Sequence, residues 1–145
     1  MGDLLDIDLL INTLLVRASR ETENPEHRWE TAGDLDVDSF DLVPFVTHSS
    51  VIAQDRNGRG AWTVNLTVSA YLEGDNAQAI LTRLYRVIHQ WAESMARVDG
   101  VGGILRVDDL QAFAAQSGEV PMQNKLVRHY AGQFTLLAQY LPPSA

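Results

Sequence analysis

The chain has 145 residues, 46% of them hydrophobic and 21% charged, with a formal net charge of −8, the profile of one soluble intracellular domain able to bury about 68–70% of its unfolded surface. It has no cysteine, which excludes disulfides, thiolate nucleophiles and cysteine metal ligands, and no apolar run approaches the roughly 18 residues of a membrane span. Residues 1–60 hold 12 acids against 5 arginines and residues 61–145 hold 7 acids against 6 bases, so the basic footprint of a nucleic-acid binder is missing and no direct nucleic-acid binding is expected.

Residues 3–18, DLLDIDLLINTLLVRA, predict a helix. Leu5, Leu9, Asn12 and Val16 fall near one line, and Leu4, Ile7, Ile11, Leu14 and Leu15 widen the apolar side. Asp3, Asp6 and Asp8 sit at its positive end and interrupt the apolar run, so a signal peptide is not expected. Residues 19–33 are polar and contain Pro25 and Gly33, with Trp29 as the side chain able to tether them; with Asp34, Asp36, Asp38 and Asp41 they make residues 19–41 an expected mobile acidic loop.

The run Leu42 to Gln54 is rich in β-branched and aromatic residues and predicts a strand, with Pro44 near its beginning or on a sheet edge. Asn57-Gly58 signals a turn. Ala61 to Glu73, AWTVNLTVSAYLE, then alternates Trp62, Val64, Leu66, Val68, Ala70 and Leu72 with Thr63, Asn65, Thr67, Ser69 and Tyr71, the period of two that puts alternate side chains on one face of a strand. Asp75 is placed to cap a helix, with Gln78 at the capping-box position. Ala77, Ile80, Leu81, Leu84, Val87, Ile88, Trp91 and Met95 recur at three and four and predict a helix to about residue 97, with Arg83, Arg86 and Arg97 spaced as a solvated face.

Asp99 to Gly103 reads as a turn and Ile104 to Gln116 as a strand, its second half ambiguous with helix. Lys125 to Leu141 alternates again, with Leu126, Tyr130, Phe134, Leu136, Ala138 and Tyr140 on one face, and Gly132 predicts a bulge or the close approach of another backbone. Residues 142–145 are expected to fray. The expected fold is one α+β domain over 1–145, a largely antiparallel four-stranded sheet of two long hairpins with helices on one face, in the order α-β-β-α-β-β.

The motifs argue against catalysis. Asp34, Asp36 and Asp38 are spaced like calcium ligands, but the loop would need glycine and glutamate where Ser39 and Phe45 stand; the plainer reading is a solvated acidic surface or one that meets a basic partner. His89 and Glu93 lack the second histidine of a zinc helix, and no metal or other cofactor is expected. His48, Ser49 and Ser50 are adjacent on a strand, where neighbours point to opposite faces, and no Gly-x-Ser-x-Gly elbow occurs. Gly100 to Gly103 lacks the Lys-Ser/Thr of a phosphate loop. What remains is surface: long strands that extend past a helix layer suit another subunit. Arg56 and Arg59, on the turn between the first two long strands, are a candidate basic contact for Asp34, Asp36, Asp38 and Asp41 of a neighbour.

The segment HSSVIAQDRNGRGAWTVNLTVSAYLEGD, the helix AQAILTRLYRVIHQWAE directly after it and the closing HYAGQFTLLAQYL together resemble the tail terminator (tail-completion) proteins of long-tailed bacteriophages, over residues 1–141 in size and element order. The resemblance implies an α+β subunit and no enzymatic activity. It implies a homo-oligomeric ring, typically a hexamer, at the head-proximal end of the tail, assembled in the host cytoplasm and carried in the virion. Its partners would be further copies of itself, the major tail tube protein and the head–tail connector, with no membrane. A different neck component (stopper or adaptor) is the alternative within the same assembly; a small α+β enzyme or ligand-binding module using His48 and the acidic loop is the alternative outside it.

Overall fold

A computed structural model describes residues 5–21, 29–32, 45–56, 61–73, 77–115 and 127–141. Helix α1 spans Ile7–Glu21. Asp6 starts it, its Oδ1 accepting from the Leu9 N–H at 3.1 Å, which satisfies one of the orphan donors of the first turn. Ile7, Leu10, Ile11, Leu14, Leu15 and Ala18 form its buried stripe. Leu9, expected in the apolar line, is 47% exposed, because it stands about 200° around the helix from Ile7. The helix also runs three residues past the expected end, taking Ser19–Glu21 from the predicted loop.

Helix α2 spans Ala77–Glu93 and buries Ala77, Ile80, Leu81, Leu84, Ile88 and Trp91. It ends four residues before the predicted point. Met95 turns into the left-handed region at φ 52°, and the Ala96 N–H returns to the Trp91 carbonyl at 2.8 Å, a reversal that satisfies the terminal carbonyls and stops the helix. The Asp75 cap lies outside the described residues.

Among the described residues the strands are β1 (Glu30–Ala32), β2 (Phe45–Arg56), β3 (Ala61–Glu73), β4 (Arg97–Val98), β5 (Gly102–Ala115) and β6 (Val127–Gln139). They form one sheet in the order β1-β2-β3-β6-β5-β4. All neighbours are antiparallel except β1 and β2, which are parallel. The expected four-stranded sheet and its α-β-β-α-β-β order are therefore corrected to six strands and α-β-β-β-α-β-β-β. The two extra strands have three and two residues, too short to show a period of two. One lies within a polar stretch; the other lies where the sequence pattern predicts the end of a helix.

Both helices contribute to one core against one face of the sheet. That face presents Val64, Leu66, Val68, Ala70 and Leu72 of β3 and Phe134, Leu136 and Ala138 of β6, all buried. Gly132 pairs in register with Val68 on the β3 side, while on the β5 side Ala112 and Phe113 stand opposite it as a register shift, so the expected irregularity falls here. A Cβ there would stand 3.1 Å from the Phe113 ring, so the close approach is by an aromatic side chain; further irregularities lie elsewhere in β5 and in β2. Gly102 and Gly103 belong to β5 and not to the preceding turn.

Candidate functional site

Of the residues singled out for an interface, Asp34, Asp36, Asp38, Asp41 and Arg59 lie outside the described residues, as do residues 22–28 and 33–41 of the expected mobile loop and the 142–145 tail. Arg56 is the last residue of β2 and pairs with Ala61.

The sheet face away from the helices is a polar, mostly uncharged surface. The register aligns Ser49, Thr67 and Gln133 across three strands, and Val51, Asn65, Thr135 and Asp108 across four. The Thr135 hydroxyl donates to Asn65 Oδ1 at 3.4 Å. At one end Tyr71 and His129, directly paired, stack with ring centroids 4.7 Å apart. Burial raises the Tyr71 pKa and lowers that of His129.

His48 lies on the opposite, core-facing side of β2 and is buried, with neither ring nitrogen hydrogen-bonded among the described residues. Burial lowers its pKa, against a smaller opposing pull from Asp8. Among the described residues no carboxylate hydrogen-bonds to it to orient it as a base.

Two groups that sequence spacing does not reveal come together on the helices. His89 Nε2 lies 2.6 Å from Asp109 Oδ1, and the Tyr85 hydroxyl donates to Asp109 Oδ2. Asp109 thus replaces Glu93 as the partner of His89. The Tyr85 bond chiefly holds the Asp109 carboxyl below its ordinary range; burial opposes this and His89 assists it, while the same bond raises the Tyr85 pKa. Tyr85 and His89 also lie against Phe134. The set fastens α2 to β5.

The second group lines a cleft of about 460 Å³ between α1 and α2, with Leu14, Val87 and Trp91 among its apolar walls and Arg17, Glu21 and Arg83 among its polar ones. Arg17 donates to the Arg97 carbonyl at 3.2 Å and Arg83 to the Ala18 carbonyl at 2.6 Å. Arg83 also lies over the Trp29 ring, 5.8 Å from its centroid. These arginines therefore fasten α1 to its neighbours, which corrects the reading of Arg83 as part of a solvated face; Arg97 lies in β4 and not on the helix.

Among the described residues no group of three or more His, Asp or Glu side chains converges as a metal site, and no helix is long and apolar enough to cross a membrane. No protein-family model matches the chain, and a search of curated proteins likewise returns no match.

Proposed function

We propose that this protein is a structural component of a phage tail, of the tail-terminator kind. Copies of it form a ring, a hexamer as in the family it resembles, on the head-proximal end of the tail tube. The ring ends polymerisation of the tube protein and offers its other side to the head–tail connector. The observation that carries this reading is the sheet. Four strands run 12 to 14 residues, about twice the usual length, while the core-bearing helices occupy one face. Large apolar side chains, Val51, Ile52, Leu105 and Leu110, are exposed on its strands, and such residues favour burial against another protein surface. The arrangement suits assembly better than the binding of a small substrate.

The test is reconstitution. Purified protein added to polymerising tube protein is expected to give six-membered rings by electron microscopy, seated on one end of tubes whose length stops growing. Protein that stays monomeric and leaves tube growth unchanged refutes the proposal. Binding only to assembled connectors, and never to tubes, assigns it to another position in the neck.

A further inference from the structure

We propose that the cleft between α1 and α2 binds a short extended peptide of a partner protein, one in which an acidic residue stands beside an aliphatic one. This site stands apart from the ring: it needs only the folded subunit.

The shape suits a peptide. The cleft has a volume of about 460 Å³, within the range of sites that enclose a ligand. Its α2 wall runs from Arg83 through Val87 and Trp91 to Ser94, spacings of four, four and three that stack along one side of a helix. That wall is about 16 Å long, the span of about five residues of extended chain. Leu14 and Ala18 of α1 face it. With Val87 and Trp91 they give the cleft apolar walls against which an aliphatic side chain leaves water.

The charge suits a carboxylate. Arg83 is half-buried and lines the cleft. A guanidinium has five N–H donors and a fixed positive charge. Arg83 meets one neutral acceptor, the Ala18 carbonyl at 2.6 Å, and the face of the Trp29 ring. Its Nε is enclosed without an acceptor. Arg17, exposed on the same cleft, spends a bond on the Arg97 carbonyl, also neutral. Among the described residues neither arginine has a carboxylate within ion-pair distance. A half-buried cation without a counter-charge is costly, and it attracts an anion more strongly than an exposed one does. A carboxylate is planar and takes two guanidinium N–H groups at once.

Glu21 narrows the choice. It stands on the same cleft, exposed and without an ion pair among the described residues. Its charge repels a doubly charged phosphate about twice as strongly as a singly charged carboxylate. On a chain of net charge −8, much of the surface turns an acidic segment away, so the two arginines set where such a segment docks.

The probe is acetyl-Leu-Asp-Leu-Asp-Leu-amide, titrated by calorimetry into the full chain, with the melting temperature of each variant measured alongside. One-to-one binding that weakens with salt is expected. Arg83→Gln is expected to weaken it about tenfold or more, and so is replacing both aspartates of the peptide by asparagine. Arg17→Gln is expected to weaken it about two- to fivefold, and Glu21→Gln to tighten it by a similar factor. The gain in Glu21→Gln cannot arise from damaged folding. Arg83→Gln also loses the bond to Ala18, so if that variant does not fold, Arg17→Gln and Glu21→Gln decide the case. Equal affinity for the asparagine peptide overturns the site, as does binding that ignores both Arg17→Gln and Glu21→Gln. No binding at millimolar peptide overturns it too. If octanoate or inorganic phosphate displaces the peptide at concentrations comparable to its own, the ligand is a small acid or a phosphate group and the peptide assignment is overturned.

Discussion

Ser19 clasps the backbone of Trp29 with its hydroxyl, accepting from the Trp29 N–H at 2.9 Å and donating to the Trp29 carbonyl at 2.8 Å. Both residues are buried. The clasp fixes the end of α1 to the entrance of β1, and Arg83 over the Trp29 ring adds α2 to the same joint. Ser19→Ala leaves two buried backbone groups unpaired and is expected to lower stability by about 2 kcal/mol, read by urea unfolding. Recovery in Ser19→Thr is expected because the hydroxyl returns. A loss below about 0.5 kcal/mol, the range of an ordinary surface change, would show that water replaces the clasp.

Leu84 has no exposed surface and sits in the shared core. Leu84→Ala is expected to cost about 2–5 kcal/mol, the transfer and cavity terms together. Leu9→Ala, at the exposed position of α1, is expected to stay within about 0.5 kcal/mol. Equal losses in the two variants would mean that the buried faces of the helices are wrongly assigned.

The contrast between these two leucines marks what the sequence makes legible. The α2 stripe and the β3 alternation are long, regular and bounded by turn residues, so period alone places Leu84 and Val64 inward. In α1 apolar residues cover more than half of the circumference, so the pattern puts Leu9 in the apolar line and misses Leu10, which the structure buries. β1 and β4 owe their existence to pairing partners far along the chain, which a short window does not contain. The same holds for Asp109, 20 residues from His89 and 24 from Tyr85, and for Arg83, 65 residues from the Ala18 carbonyl it binds. Charge alone singles out the acidic residues at 34–41 and Arg59, and the described residues do not include them.

The bonds to Asp109 are partly exposed to solvent, so their electrostatic worth is small. Asp109→Asn is expected to cost less than about 1 kcal/mol at pH 7. Because the native carboxyl is held below its ordinary value, that contribution is present above about pH 4 and disappears as pH falls through the native pKa. The difference in stability between wild type and variant should therefore be larger at pH 7 than at pH 3. A loss of several kcal/mol would make this cluster a main support of the fold.

Between pH 7 and pH 5 the pH dependence of stability should come from His48 and His129. Burial lowers both pKa values from 6.5, with the Asp8 charge acting against burial at His48. Neither nitrogen of His48, nor Nε2 of His129, has a hydrogen-bond partner among the described residues. The unfolded chain therefore takes up protons before the native chain does. The stabilisation is fully present above the unfolded value of 6.5 and is lost as pH falls toward and through the native values. His48→Leu removes a buried polar ring without partners, so it is expected to raise stability at pH 7 by about 1 kcal/mol and to reduce the fall in melting temperature between pH 7 and pH 5. Adding His129→Leu should flatten the curve further. The depressed Asp109 pKa acts only at lower pH and leaves this window to the imidazoles. A double variant that loses as much stability as wild type between pH 7 and pH 5 would show that the buried imidazoles are not the source.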